Sequence, residues 1–129
     1  MIEDDVDMHY LYKRVFDNLH LDKKLKLFDN AQDALKFLQQ APEDTQLIFS
    51  DINMPMIDGL ELKKRINEDV ALGSYHIPFV FLSTSASEYD IKKSSNLGIQ
   101  GFFQKGETLD EMENTINLVL NYWQRSILP

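Results

Sequence analysis

Leu47-Ile48-Phe49-Ser50-Asp51-Ile52-Asn53-Met54-Pro55-Met56-Ile57-Asp58-Gly59 is the stretch on which the reading of this chain turns. Leu47-Ile48-Phe49 is apolar without alternation, the pattern of a strand covered on both faces, and such strands belong to parallel sheets wrapped by helices. Asp51 follows at once. Asn53, Pro55, Asp58 and Gly59 are residues of loops, turns and helix caps. The stretch therefore predicts a central strand that delivers one carboxylate into a loop, with a helix starting near Asp58.

The same alternation of elements extends to both sides. Phe79-Val80-Phe81-Leu82 is a second unalternating apolar run and ends in Ser83; a further strand ends in Lys105. Lys24-Leu25-Lys26-Leu27 alternates, as a half-exposed edge strand does. Met8, Leu11, Val15 and Leu19 recur at helical spacing, as do Ala31, Ala34, Leu35 and Leu38 behind a capping Asn30. Leu62, Ile66 and Val70 mark a third helix. Ser85 with Glu88, and Thr108 with Glu111, have capping-box spacing and predict two more, the last carrying Leu109, Met112, Ile116, Val119 and Trp123. Strands alternating with helices imply right-handed βαβ units and an α/β domain. In such sheets ligands sit beyond the carboxyl ends of the strands. The cluster Glu3-Asp4-Asp5, Asp51, Ser83 and Lys105 all fall at such ends, and strands about 4.8 Å apart let these side chains converge.

Composition narrows the function classes. The chain has 129 residues, 43% of them hydrophobic, enough for one core. It has no cysteine, which excludes a disulfide framework and thiolate metal sites and suits a reducing cytoplasmic compartment. The formal charge of −8 argues against a nucleic-acid partner. No apolar run has membrane-spanning length, so no membrane partner is expected. His9, His20 and His76 lack metal-ligand spacing and are expected at the surface.

The residues at the strand ends resemble the receiver domains of two-component response regulators, and the resemblance covers essentially the whole chain. Glu3 and Asp4 look like that family's acidic pair, Asp51 like its phosphoacceptor, Ser83 like its hydroxyl after the fourth strand and Lys105 like its lysine after the fifth. Asp51 to Gly59 is similar to the phosphoacceptor loop. The resemblance implies a flavodoxin-like, doubly wound, five-stranded parallel sheet of order 2-1-3-4-5. It also implies Mg2+ held by Asp4, Asp51 and the Asn53 carbonyl, with Glu3 acting through water, while Ser83 and Lys105 serve the phosphoryl oxygens. A histidine kinase or phosphotransfer protein would supply the phosphoryl group. A downstream protein would read the fourth helix, fifth strand and fifth helix. The domain would then signal rather than catalyse a reaction on a separate substrate.

Each residue taken alone has a plainer reading: a solvated acidic run, a turn, a satisfied hydroxyl, a surface lysine. Asp58-Gly59 is read structurally, as turn and helix cap. An aspartate-nucleophile phosphatase would need a second aspartate where Asn53 stands. The alternatives kept open are an unphosphorylated pseudo-receiver scaffold and a receiver that is part of a larger regulator or hybrid kinase. Two positions depart from the family pattern: Gly106 stands where proline commonly follows the lysine, and Phe102 where a tyrosine often reports phosphorylation. Phe102 is either an aromatic switch without its hydroxyl or a core residue.

Residues 1–129 are expected to form one receiver domain without an output domain. The fourth helix, Ser87 to Leu97, is poorly anchored, chiefly by Ile91 and Leu97, and is a candidate for movement. Only Met1 and Ile2 precede the acidic cluster, whereas a buried strand usually spans about five or six residues. Several more apolar residues are therefore expected ahead of Met1, the alternative being another segment or chain in the gap. Met1 should lie buried between the second and third strands, pointing toward the acidic site.

Overall fold

The computed structural model describes residues 1–21, 24–85 and 87–126. Three parallel strands, β1 (Ile48–Ser50), β2 (Phe79–Ser83) and β3 (Gly101–Gln104), are ordered β1-β2-β3. They pair in the registers Phe49 with Val80 and Phe81 with Phe102. Two further positions of the sheet are occupied by short extended segments. Ile2 bridges in parallel to Phe28 on one side and to Ser50 on the other. The Ile2 N–H donates to the Phe49 carbonyl at 2.8 Å, the Asp51 N–H to the Ile2 carbonyl at 2.9 Å and the Glu3 N–H to the Phe28 carbonyl at 2.9 Å. The chain segments thus stand in the order 2-1-3-4-5 expected, with β1 to β3 as the third to fifth positions. Met1–Glu3 lies between its two neighbours and runs toward the acidic site as expected, although Met1 itself is only half-buried. The run Lys24 to Leu27 alternates in burial as predicted, but among the described residues it forms no ladder of its own: the Lys26 carbonyl accepts from the Met1 nitrogen and the bridge to Ile2 falls at Phe28.

Side chains alternate across the sheet and divide the core in two. Ile48, Phe79 and Phe81 face α2 (Ala31–Gln40), α3 (Gly59–Glu68) and the short α4 (Val70–Gly73). Phe49, Val80 and Leu82 face α1 (Val6–Asn18) and α6 (Leu109–Arg125). Helices on both faces explain why β1 and β2 show no polar alternation. The remaining helix, α5 (Glu88–Asn96), buries only Ser94.

The helix starts follow their caps. Asn30, Asp58 and Thr108 accept from the backbone N–H three residues on, as the sequence predicts. Elsewhere the details differ. The stripe of α1 is rotated, so that Tyr12, Val15 and Phe16 are buried while Met8, Leu11 and Leu19 are half-buried. Val70 is not on the α3 stripe: Asp69 caps a new short helix, accepting from Leu72 N–H, and this turns Val70 out to 88% exposure while burying Leu72. The cap of α5 is Ser87, which accepts from Asp90 N–H, rather than Ser85. Ile91, expected as an anchor, is 48% exposed and belongs to neither core cluster of the described residues. Among the described residues no helix is long and apolar enough to cross a membrane.

Candidate functional site

Asp51 is held to the sheet through its own N–H, bonded to Ile2, while its side chain turns into the loop. Its Oδ1 accepts from Ile52 N–H at 2.8 Å, which fixes the carboxylate plane and leaves Oδ2 facing the Lys105 Nζ at 3.4 Å. The loop that follows is anchored by Ile52, Met54 and Ile57, all buried, with Asn53, Pro55 and Met56 exposed between them. Met56 takes a φ of 68°. That left-handed geometry is uncommon for a side-chain-bearing residue and marks the sharp point of the turn.

Glycine is required where the loop returns. The Gly59 N–H donates to the Ile52 carbonyl at 2.8 Å, and a Cβ on Gly59 would lie 2.2 Å from the Asp51 carbonyl oxygen. Asp58 Oδ1 accepts from Glu61 N–H at 2.8 Å, the capping role read from the sequence. Together Asp58 and Gly59 pin the first turn of α3 against the backbone of Asp51, so helix packing sets the position of the carboxylate.

Lys105 arrives from β3, with its N–H bonded to the Ser83 carbonyl at 2.7 Å. Its ammonium is nearly buried and pairs with both Glu3 Oε1 and Asp51 Oδ2. Gly106 keeps a φ outside the left-handed region; what demands glycine is closeness, since a Cβ there would lie 2.7 Å from the Met112 N. Small size, rather than unusual dihedrals, therefore lets Lys105 turn directly into α6. Phe102 is half-buried and packs its ring against Phe81 with centroids 6.0 Å apart, the core alternative for that residue.

Glu3, Asp4 and Asp51 each present a carboxylate oxygen within 4.8 Å of the others. Glu3 is 2% exposed, and its Oε2 has no hydrogen-bond partner. Burial pushes the Glu3 carboxyl up to about 7; the Lys105 hydrogen bond opposes this and the neighbouring Asp51 adds to it. Three carboxylates against one ammonium leave the pocket short of positive charge. An all-oxygen donor set with an orphaned buried oxygen suits a hard divalent cation. Asp4 is half-buried and Asn53 is exposed in the loop two residues after Asp51.

Ser83 lies at the predicted strand end and is fully buried, with its hydroxyl donating to the Ser85 carbonyl at 2.6 Å. It thus stands beside Lys105 with its proton engaged within its own loop. Two neighbours went unassigned in the sequence. His9 is half-buried with Nε2 against the Glu3 carbonyl, in place of the surface position expected, and His20 and His76 occupy left-handed turns. Tyr12 is buried behind the carboxylates, and burial, then the charges of Glu3 and Asp51, raise its phenol. The one available signal was position: α1 starts directly after the acidic cluster, so its first turns must border the site.

The chain is similar to known proteins over most of its length. A family model described as the response regulator receiver domain matches residues 1–117. Response regulator Rcp1 of Synechocystis is 26% identical over 132 residues, which cover 98% of this chain and 88% of that protein. The osmosensing histidine protein kinase SLN1 of Saccharomyces cerevisiae is 32% identical over 81% of this chain, which is 8% of its own length. Among solved structures, the phosphorylated cyanobacterial phytochrome response regulator RcpA has a TM-score of 0.84 at 27% identity, covering 99% of this chain and 94% of its own. The Mn2+-bound form of Rcp1 has a TM-score of 0.76 at 25% identity, covering 98% and 94%.

Proposed function

The chain belongs to the response regulator receiver family, and on that premise we propose that Asp51 accepts a phosphoryl group from a histidine kinase or phosphotransfer protein. The observation that carries this reading is the convergence of Glu3, Asp4 and Asp51 at the carboxyl end of the sheet, with the Lys105 ammonium facing Asp51 Oδ2. An ionised carboxylate oxygen attacks phosphorus; the new O–P bond forms as the donor's N–P bond breaks, and the electron pair leaves with the imidazole. The protein's share of the work is placement and charge. Ile52 N–H orients the nucleophile, and Lys105 supplies positive charge to the equatorial oxygens. The Ser83 hydroxyl serves them once it turns from Ser85.

Asp4, Asp51 and the Asn53 carbonyl are assigned as the residues that would hold Mg2+, with Glu3 acting through water. When bound, the ion supplies positive charge that lets crowded carboxylates stay ionised and offsets charge on the phosphoryl oxygens. The chain is read as a signalling domain of the cytoplasm, with neither nucleic acid nor membrane as partner. Its output is read by a protein at α5, β3 and α6. Tyr89 and Ile91 on α5 and Leu118 and Tyr122 on α6 are exposed apolar residues that support this assignment.

The test is intact mass after incubation with a small phosphodonor and Mg2+. One phosphoryl group is expected on the wild-type chain and none on Asp51→Asn. An equal mass gain in the variant would refute the assignment.

A further inference from the structure

Tyr12 is a buried phenol that the phosphoryl chemistry leaves unused. It is 2% exposed and packs in the core layer between α1, α6 and the strands, with Val15, Phe16 and Met112. Side chains on a helix lean toward its N-terminus. Because α1 is capped by Asp5, directly after Glu3 and Asp4, Tyr12 leans toward the acidic site. Burial and the charges of Glu3 and Asp51 keep the phenol protonated, so it is available as a hydrogen-bond donor. Yet among the described residues its hydroxyl has no hydrogen-bond partner. A polar group kept from water without a partner is costly. In a protein with two states, that cost can be offset in the other state.

Glu3 is the acceptor whose needs change between states. In the unphosphorylated chain the Lys105 ammonium bonds Glu3 Oε1 and faces Asp51 Oδ2 at 3.4 Å. A phosphoryl group on Asp51 draws that ammonium to its oxygens and away from Glu3. Glu3 is 2% exposed and its Oε2 already lacks a partner, so the loss of Lys105 would leave a buried carboxyl with no donor. Tyr12 stands next to the departing lysine. The two line one cavity of about 10 Å³, together with Gln104, Gly106 and Thr115. This cavity is slack within an otherwise close-packed layer, and it gives the phenol room to turn as the lysine stem withdraws. His9, the other polar side chain of α1 at the site, already has Nε2 against the Glu3 carbonyl.

We propose that Tyr12 is a positioning residue that takes over Glu3 Oε1 when Lys105 turns to the phosphoryl group, its hydroxyl donating where the ammonium did. The inference rests on the assignment of Asp51 as phosphoacceptor. Two buried donors then serve one carboxyl in turn, Lys105 in the unphosphorylated chain and Tyr12 in the phosphorylated one. Glu3 keeps its place throughout, with Oε2 left for the water through which it acts on Mg2+.

The experiment compares wild type, Tyr12→Phe, Glu3→Leu and the double variant, with beryllofluoride and Mg2+ as the phosphoryl probe. Tyr12→Phe keeps the ring and removes only an unpartnered hydroxyl, so the urea midpoint of the cation-free, unloaded chain should hold or rise. Its affinity for beryllofluoride at saturating Mg2+, read by titration calorimetry, should fall about tenfold. Mg2+ affinity without the probe should not change. In the Glu3→Leu background, where the acceptor is gone, Tyr12→Phe should have no further effect on the probe. If Glu3→Leu does not bind the probe, the single variant decides the matter. Unchanged probe affinity in Tyr12→Phe would overturn the proposal. So would a matching loss of stability in the unloaded chain, the mark of a merely structural role, or an equal loss of affinity in the Glu3→Leu background. Phosphoryl uptake is scored in parallel by intact mass. No gain in the wild type would overturn the Asp51 reading and this proposal with it, whereas a gain with unchanged probe affinity would overturn this proposal alone.

Discussion

The two ends of the same sheet are built to different standards. At the carboxyl end, Asp51, Lys105 and Glu3 are each held by a strand or cap hydrogen bond, and glycine is required at Gly59 to keep helix and loop in contact. At the amino end, the same strands flank a groove, and leucines that could be core are half-buried. One end places charge with little freedom to relax, while the other leaves apolar surface partly wet. The difference teaches that core quality and site precision are separable within one small domain, since different residues of the same strands supply them.

Substitutions at the two ends should therefore differ in kind. The largest effect is expected for Gly59→Ala, where the new methyl overlaps the Asp51 carbonyl. A loss on the order of 3 kcal/mol, the upper end of overpacking costs, should appear in denaturant melts together with slowed phosphoryl uptake. A neutral result would mean that the loop is not pinned. Lys105→Ala comes next, at about 2 kcal/mol at pH 8 without divalent cation, because the buried Glu3 and the half-buried Asp51 lose their ammonium and Glu3 offsets part of that by taking up a proton. Adding Mg2+ should recover much of the loss, and thermal shift with and without the ion measures it.

The third effect is one of pH. The Glu3 carboxyl is raised from 4.5 to about 7 in the fold. The unfolded chain releases this proton first, so Glu3's contribution is complete below pH 4.5 and is lost as pH rises through about 7. Cation-free wild-type protein should lose stability across that window relative to Glu3→Gln, whose urea midpoint should show a flatter profile. Parallel profiles would place the titration elsewhere. The smallest effect is expected at the groove: Leu47→Ala should cost about 1 kcal/mol, against the 2–5 kcal/mol typical of a fully buried leucine such as Leu82. Equal costs in chemical melts would erase the contrast between the ends.

Much of the carboxyl end was legible in the sequence because its signals are local or periodic. The apolar runs ending in Asp51 and Ser83 identify central strands, and Asn30, Asp58 and Thr108 mark helix starts by side chains that can act in only a few ways. The failures have causes both local and long-range. Ser85 to Glu88 and Ser87 to Asp90 have the same spacing and overlap, and the helix starts at the second. Asp69 was readable as a cap but lay inside a run whose period continued to Val70. The pairing of Lys105 with Glu3 joins residues 102 apart, and no window of sequence contains it. His9 was set aside for want of ligand spacing, although a helix that starts at the acidic cluster had to bring its first turns against that cluster.

The central claim is that the carboxyl end delivers one carboxylate, Asp51, as the phosphoacceptor. Borohydride reduces an acyl phosphate to an alcohol, so a phosphorylated aspartate becomes homoserine and can be located by peptide mass. After treatment with phosphodonor and Mg2+, homoserine should appear at position 51 and at no other aspartate. Homoserine at Asp4 or Asp58, or at no position despite a phosphoryl mass gain, would contradict the account.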